Sequence, residues 1–360
     1  MRVLHLNTER TWRGGERQTF WLAETLSRRG HESRLACRPE GPLAAKAKER
    51  GLAVFPLSPS FEFDLFAARR IRRHLLETGT DILHAHTGHA VGLGAMAVRG
   101  TDVKLVVTRR VDFPLKVDVF SRWKYGRAHA VACISGWVRK MVLDGGVPEG
   151  KTVVIPSGID PTGYPLEADR DRLRRERGVD LKEVVLVHVG ALVPHKDQAV
   201  LLRAVERAAR EVRRFRLILL GDGPLRKTLE QLARDLGIAD RTVFMGNISD
   251  VLAYTALADL FVFSSKEEGL GTALLDALAV GVPTAATAAG GIPDIYGGPD
   301  APELSPPGDP EALARNILSV LNDPEEARRR AERGRQRIAH FTVEAMADGY
   351  EVLYRKVLSQ

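Results

Sequence analysis

One junction between an apolar segment and a glycine turn sets the strongest limit on how this chain can fold. The run Ala258–Phe263 is apolar except for one aspartate and is typical of a buried strand. Gly269 and Gly271 follow, and a helical pattern of apolar residues begins at Thr272. A glycine turn that enters a helix exposes backbone N–H groups to which an anion can bind. The sequence therefore predicts a strand, an anion-binding turn and a helix, although a plain tight turn has the same pattern.

Two acidic residues flank this turn. Glu268 lies on the turn itself, and Asp276 lies about one helical turn into the following helix. A phosphate held by the backbone amides would have a carboxylate on either side, and carboxylates accept hydrogen bonds from sugar hydroxyls. The arrangement is suited to a nucleotide sugar.

The acidic pair resembles the E-x7-E signature of family 4 (group 1) retaining glycosyltransferases, with Asp276 in place of the second glutamate. The resemblance covers residues 184–294 most specifically and residues 1–160 more loosely. It implies the GT-B fold, an α/β architecture of two doubly wound, Rossmann-like domains facing across a cleft. We expect an acceptor-side domain at 1–160, joined by a C-terminal helix at 342–360, and a nucleotide-sugar-binding domain at 161–341.

Strand and helix patterns alternate along the whole chain, as in a parallel sheet covered on both faces. The first strand, Arg2–Asn7, is followed by Gly14-Gly15 and a helix over Glu16–Arg29. Paired glycines at such a loop allow a ligand to approach the backbone, although a tight turn explains them equally. They do not form a GxGxxG fingerprint, so no nicotinamide cofactor is indicated.

The resemblance implies roles for individual residues. His86, the last histidine of the strand DILHAH, would touch the donor sugar, Lys196 would neutralise the diphosphate, and Glu268 would hold the sugar. These are the expected catalytic residues, while His84 would pack within the sheet. The expected donor-binding residues are Gly14, Gly15, Gly190, Gly246, Gly269, Leu270, Gly271, Thr272, Ala273 and Asp276.

One further position departs from the family pattern. Ala191 stands where the family has an arginine, and His195 can supply part of the missing charge.

No metal and no cofactor are expected. The histidines of the DILHAH strand have no carboxylate or cysteine at ligand spacing, and a DxD-type metal site is not expected. The donor would be a nucleoside-diphosphate sugar, with UDP as the expected nucleotide and GDP or ADP as alternatives.

Composition limits the partners. Residues 1–160 hold 26 Lys and Arg against 16 Asp and Glu, whereas the rest of the chain is slightly acidic. Such an excess indicates a face for phosphates or anionic lipid, or an arginine-rich solvated surface. Nucleic acid is not expected, because no binding motif accompanies the charge. The mixed basic and aromatic segment Val111–Arg127 would contact a membrane or an anionic acceptor, or would form an irregular connection over the sheet.

Two cysteines and the absence of a leader pattern predict a cytoplasmic protein, with contact to the inner face of the membrane. The predicted function is transfer of a sugar, with retention, from a nucleoside-diphosphate sugar to a saccharide or lipid-linked acceptor. Cell-envelope polysaccharide, lipopolysaccharide or glycolipid synthesis would use such a reaction. The alternatives are a phosphorylase or epimerase of the same fold, and a non-catalytic nucleotide-sugar-binding protein.

Overall fold

A computed structural model describes residues 1–162, 164, 169–212 and 214–360, which form two compact units. The first unit contains Met1–Gly158 and Thr342–Gln360, and the second contains Ile159–Phe341. Both units contain one parallel sheet with helices, so the predicted α/β architecture of two Rossmann-like units is confirmed.

The first unit is built on a seven-stranded sheet in the order β3-β2-β1-β4-β5-β6-β7, with every neighbouring pair parallel. Its strands are β1 Arg2–Leu6, β2 Glu32–Cys37, β3 Ala53–Pro56, β4 Ile82–Ala85, β5 Lys104–Arg109, β6 Ala130–Cys133 and β7 Thr152–Val154. The helices that connect them are α1 Gly14–Arg28, α2 Pro42–Glu49, α3 Leu65–Glu77, α4 Gly88–Ala97, α5 Val119–Gly126 and α6 Gly136–Asp144. Every residue of β4 and β6 is buried, as expected for a sheet covered on both faces.

The second unit has a six-stranded parallel sheet in the order β10-β9-β8-β11-β12-β13. Its strands are β8 Val184–Val189, β9 Phe215–Leu220, β10 Thr242–Gly246, β11 Leu260–Phe263, β12 Thr284–Thr287 and β13 Leu304–Ser305. The helices are α7 Arg170–Glu176, α8 Gln198–Ala208, α9 Arg226–Asp235, α10 Val251–Ala256, α11 Thr272–Ala279, α12 Ile292–Tyr296, α13 Pro310–Leu321 and α14 Pro324–Ile338. The sequence patterns predict a helix over Glu167–Arg177, of which residues 167 and 168 lie outside the described residues.

The last helix, α15 (Val343–Leu358), packs against α1 in the first unit. Tyr350 and Tyr354 of α15 are fully buried and share a core with Leu22 and Leu26 of α1. Gln18 of α1 binds Gly158, where the first stretch of this unit ends. Gln18 Nε2 donates to the Gly158 carbonyl at 2.6 Å, and the Gly158 N–H donates to Gln18 Oε1 at 2.9 Å. No helix among the described residues is both long and apolar enough to cross a lipid bilayer.

Three segments differ from the sequence-based predictions. α4 was not predicted, because its residues are apolar on all faces and it contains three glycines, so no helical stripe is visible. Part of the Val111–Arg127 segment is helical, as α5. The glycine-rich segment 289–294 is predicted as a loop, but α12 begins within it at Ile292.

Candidate active site

The predicted residues of the second unit, apart from Gly246, lie where its strand order reverses. β8 and β11 are neighbours in the sheet, and the chain continues from them toward opposite edges. In doubly wound sheets the crevice beyond the carboxyl ends of two such strands is the usual ligand site. Lys196 lies on the loop after β8, and Glu268 lies on the loop after β11. The topology thus brings together two residues that are 72 positions apart in the chain.

Lys196 and Glu268 form an ion pair, with side chains that are 15% exposed. Ser265 Oγ donates a hydrogen bond of 3.2 Å to Glu268 Oε2, the oxygen that also receives the lysine. Lys196 Nζ lies 5.0 Å from the ring centroid of Phe263, within range of a cation–π interaction. Both charged groups are therefore held in place by protein contacts.

The backbone of the Glu268 turn is fixed by the segment after β12. The N–H of Gly291 donates to the carbonyl oxygen of Glu268 at 2.9 Å. Gly290 has φ +53°, and a Cβ at this position would lie 2.1 Å from the same carbonyl oxygen. Only glycine permits this approach.

The predicted anion-binding turn ends at the amino end of α11. Leu270 is buried, and Gly271 is the N-cap residue in the left-handed conformation, with φ +92°. Thr272 and Ala273 are the first residues of the helix. Since the first N–H groups of a helix lack acceptors within it, this end of α11 presents donors next to Gly269 and Glu268.

Asp276 has a partner that the sequence does not reveal. The hydroxyl of Tyr164 donates a hydrogen bond of 2.7 Å to Asp276 Oδ1. Tyr164 is 112 residues away in the chain, so no local pattern connects the two. Asp276, predicted to bind ribose, is thus oriented by a phenol.

The loop after β8 carries Gly190 and Ala191. The N–H of Gly190 donates to the carbonyl oxygen of Leu220 at 2.9 Å. The carbonyl oxygen of Ala191 accepts from Gln198 Nε2, also at 2.9 Å. The side chain of His195 is exposed.

Lys266 is a second cation near this loop that the sequence patterns did not single out. Its Nζ lies 3.1 Å from Asp197 Oδ2, and its N–H donates to the His195 carbonyl at 2.8 Å.

Gly246 is the last residue of β10, so it lies at the carboxyl end of the sheet, as do the loops that carry Lys196 and Glu268. Its carbonyl accepts from the N–H of Gly221 at 2.9 Å, and its φ is +68°. Arg226 contacts this strand end by donating to the Phe244 carbonyl at 2.9 Å.

His188, near the end of β8, is a buried titratable group beside the ion pair. Its Nδ1 lies 3.0 Å from the carbonyl oxygen of Val262, and its ring stacks on Phe263. Burial lowers the pKa of His188 to about 4, and the charge of Lys196 contributes in the same direction. The imidazole is therefore neutral at pH 7.

In the first unit the strand order reverses between β1 and β4. α1 begins at Gly14, two residues before the predicted start, and a Cβ at Gly14 or Gly15 would meet no heavy atom within 4 Å. His86 follows β4 directly and is buried. The topology thus places the glycine loop and His86 after neighbouring strands.

His86 is part of a chain of hydrogen bonds. Arg110 Nη1 lies 3.0 Å from His86 Nδ1, and His86 Nε2 lies 3.0 Å from His5 Nδ1. Arginine can only donate, so a neutral His86 accepts at Nδ1 and donates from Nε2–H to His5. His5 then carries its hydrogen on Nε2, a buried atom without a hydrogen-bond partner. Burial and the charge of Arg110 lower the pKa of His86 well below its ordinary value.

His84 packs within the sheet as expected. It is fully buried, and its two nitrogens lie 2.6 Å from the hydroxyls of Tyr354 and Thr108. The nitrogens of His5, His84 and His86 come within 4.8 Å of one another, close enough for a metal. Hydrogen bonds already occupy both nitrogens of His84, and the Arg110 guanidinium beside His86 disfavours a cation. The prediction that the site holds no metal therefore stands as a prediction.

Comparison with known proteins places these units in a family. The model described as Glycosyltransferase Family 4 matches residues 12–162. The model described as Glycosyl transferases group 1 matches residues 169–337. The two matches follow one another and together span most of the chain.

Individual relatives match over most of their length. The chain is 28% identical over 316 residues to N-acetyl-alpha-D-glucosaminyl L-malate synthase of Bacillus anthracis, which covers 85% of this chain and 82% of that protein. It is 27% identical over 359 residues to the lipopolysaccharide core biosynthesis glycosyltransferase LpsE of Rhizobium meliloti, covering 97% and 98%.

Among solved structures, Anabaena HepE in complex with UDP matches with a TM-score of 0.84 and 22% identity, over 99% of this chain and 100% of that one. This likeness confirms the predicted GT-B fold. With two successive family matches and full-length relatives of the same class, the chain belongs to the group 1 glycosyltransferases of the GT-B fold.

Proposed function

We propose that this glycosyltransferase moves a sugar from a nucleoside-diphosphate sugar to an acceptor hydroxyl with retention of anomeric configuration. The observation that carries the proposal is the Lys196–Glu268 ion pair beside the amino end of α11. A cation beside a set of backbone donors suits a departing diphosphate, and a fixed carboxylate suits sugar hydroxyls.

Each group has a role in this reaction. Departure of the diphosphate leaves an oxocarbenium-like sugar, so catalysis depends on stabilising the leaving charge. Lys196 and the N–H groups at Gly271 and Thr272 would do this, while Glu268 holds the sugar and Asp276 the ribose. His86 would face the reacting side of the sugar, and its Nδ1 and Nε2 are oriented by Arg110 and His5.

The backbone residues would complete the donor site. Gly190 and Gly246 lie at the carboxyl ends of β8 and β10, where main-chain groups can contact the diphosphate and the base. Gly14 and Gly15 open α1 where a side chain would meet no neighbour.

The donor nucleotide is proposed to be UDP. The supporting comparison is with Anabaena HepE, whose solved complexes contain UDP and UDP-glucose. GDP is the alternative, since a partial relative of Mycolicibacterium smegmatis is a GDP-mannose-dependent mannosyltransferase, with ADP as a further candidate.

Melting curves with UDP, GDP, ADP and their sugars test the site. A stabilising shift with one nucleotide that is lost in Lys196→Ala supports the proposal. Turnover of that donor by the purified protein would exclude the non-catalytic binding protein. An inverted product anomer, seen by NMR, would overturn retention.

We propose that no divalent cation takes part, because a lysine and a helix terminus can neutralise the diphosphate. Activity should be unchanged after treatment with EDTA. Loss of activity in EDTA and its return with Mg²⁺ would overturn this part of the proposal.

The acceptor is proposed to be a saccharide or a lipid-linked saccharide of the cell envelope. LpsE and a second Rhizobium meliloti relative, LpsD, are lipopolysaccharide core biosynthesis glycosyltransferases. A Mycolicibacterium smegmatis relative transfers to phosphatidylinositol monomannoside.

We also propose peripheral contact between the first unit and anionic membrane. Phe66 of α3 and Phe120 of α5 are 78% and 64% exposed, and Phe63 joins the two segments with its ring 5.5 Å from that of Phe120. Arginines of α3 and Lys116 lie close to these residues in sequence. Apolar side chains among cations suit an anionic lipid surface.

Sedimentation with phosphatidylglycerol vesicles at low salt tests this contact. Phe66→Ser with Phe120→Ser should reduce the bound fraction, whereas Val352→Ser, an equally exposed apolar residue on α15, should not. Equal binding to phosphatidylcholine vesicles, or no effect of the phenylalanine changes, would overturn the contact.

A further inference from the structure

A cavity in the first unit lies beside His86 at the carboxyl ends of β4 and β5. It has a volume of about 450 Å³ and is bordered by the loop after β4, the loop after β5 and helix α5. Its cationic lining side chains are Arg109, Arg110, Lys116 and Lys124. The wall also includes one carboxylate, that of Glu62, which is paired with Lys124.

The two arginines at this wall have no acidic partner among the described residues. Arg109 is 7% exposed and donates to the carbonyl of Phe113 and, at 3.3 Å, to the hydroxyl of Tyr125. Arg110 donates to His86. The Nε atoms of both arginines are buried and have no hydrogen-bond partner.

A buried guanidinium without a counter-charge is unfavourable, because burial removes water without supplying an anion. Burial lowers the pKa of Arg110, and the carboxylate of Glu16, which forms no ion pair with this guanidinium, offsets the effect only in part. Arginine side chains at a cavity wall match the oxygen atoms of phosphate and carboxylate groups. Lys116, which is exposed at the same cavity, adds a further cation that can move.

We propose that this cavity binds the acceptor and that the acceptor carries a phosphate or carboxylate group, held by Arg109, Arg110 and Lys116. This inference rests on the proposed function, since it assigns the substrate class of the acceptor. The anion lies beside His86, whose Nδ1 is held by the same Arg110 that borders the cavity. Acceptor charge and orientation of His86 are therefore coupled through one guanidinium.

The test measures binding of inorganic phosphate to the full-length protein by calorimetry. Arg110→Gln and Lys116→Gln should each weaken binding by about tenfold or more, since a charge-assisted hydrogen bond is lost. Arg122→Gln is the matched control, because Arg122 is exposed on α5 and does not line the cavity. Lys116 is exposed, so its variant is informative even if Arg110→Gln folds poorly.

Two further arms separate the sources of the anion. Glycerol 1-phosphate represents a free phosphate, and dihexanoyl-phosphatidylglycerol below its micelle concentration represents a lipid headgroup. Binding of either one that is weakened by Lys116→Gln supports the site and identifies the source. Dihexanoyl-phosphatidylcholine should bind less well than the phosphatidylglycerol.

The inference is overturned if phosphate binds equally to wild type and to both cavity variants. It is also overturned if Lys196→Ala abolishes phosphate binding while the cavity variants retain it, because the anion then occupies the second unit. Nucleotide binding is measured in the same samples. If the wild-type protein binds no nucleotide, the proposed donor is wrong, and the phosphate measurements still decide whether the cavity binds an anion.

Discussion

Lys196 Nζ and Glu268 Oε2 form an ion pair between the loops that follow β8 and β11 in the second unit. The pair connects the cation proposed for the diphosphate with the carboxylate proposed for the sugar. Because Ser265 donates to the same carboxylate oxygen, removal of the lysine leaves Glu268 with one neutral donor. The two residues therefore have to be tested together.

A double-mutant cycle with Lys196→Ala and Glu268→Ala measures this coupling. Each single change should lower the free energy of unfolding, since it leaves a largely buried charge without its partner. The double variant should be more stable than the sum of the single changes predicts, by about 1–3 kcal/mol. Urea unfolding measures the stabilities, and exact additivity would contradict the coupling.

Turnover gives a separate prediction for the same variants. Lys196→Ala should lower kcat by about 10²–10³-fold, the usual effect of removing one group that stabilises developing charge. Lys266→Ala, a neighbouring and more exposed cation, is the control and should have a smaller effect. Equal losses in both variants would indicate a general electrostatic effect of this loop.

Gly290→Ala should disturb the Glu268 turn. A Cβ at this position would lie 2.1 Å from the Glu268 carbonyl, so the turn has to move. Donor affinity should fall by at least about tenfold, because a displacement of even 1 Å from a productive geometry is costly. Gly237→Ala is the matched control, with φ +68° but nothing within 4 Å of its Cβ. The free energy of unfolding of Gly237→Ala should fall by about 1 kcal/mol, and its donor affinity should stay at the wild-type value. Equal donor affinity in Gly290→Ala and wild type would refute this role.

The sequence predicts much of the secondary structure because several strands are largely apolar and several helices have one apolar face. The patterns predict strands over Val184–Val189 and Thr284–Thr287 and a helix over Leu65–Glu77, and the structure has these bounds. Helix α4 escapes the pattern, since Gly92 and Gly94 pack against Glu62 and Leu105 and leave no polar face. Hydrophobic periodicity reveals the boundary between core and solvent, and a helix that is almost fully buried after His89 shows no such boundary.

The candidate site was predictable where its residues are close in sequence. Glu268, Gly271 and Asp276 lie on one turn and one helix, so their grouping follows from the motif. The pairing of Tyr164 with Asp276 depends on contact between distant segments. So does the link between His5 and His86, which are 81 residues apart. No local pattern contains either relationship, so only the fold reveals them.

Tyr164→Phe should weaken binding of ribonucleotides by about three- to tenfold. The hydroxyl that orients Asp276 is removed, and a three- to tenfold change corresponds to about 0.6–1.4 kcal/mol, the usual net contribution of one hydrogen bond. Pyrophosphate lacks a ribose, so its affinity should not change. Calorimetry with UDP and pyrophosphate measures both effects. A parallel loss for both ligands would place the effect of Tyr164 outside the proposed ribose contact.

Acid should destabilise both units before most carboxylates titrate. His188 has its pKa lowered from 6.5 to about 4, and His5 has its pKa lowered to about 3, mainly by burial. The unfolded chain therefore binds more protons than the folded chain below about pH 6.5. The stability that the neutral histidines contribute is complete above that pH. It decreases as the pH falls, until the pH reaches the pKa of each histidine in the folded protein. For His188, the free energy of unfolding lost between pH 6.5 and about pH 4 is on the order of 3 kcal/mol.

Urea unfolding between pH 7.5 and pH 5 measures this loss. In this range carboxylates such as Glu326, with a pKa lowered to about 2, remain ionised in the folded protein and contribute little. His188→Gln is expected to be less stable at pH 7.5 but to lose less stability on acidification, because the group that gains a proton on unfolding is absent. His89→Gln, at an exposed position, should follow the wild-type slope. A slope in His188→Gln equal to that of wild type would show that the imidazole of His188 is not the source of the acid sensitivity.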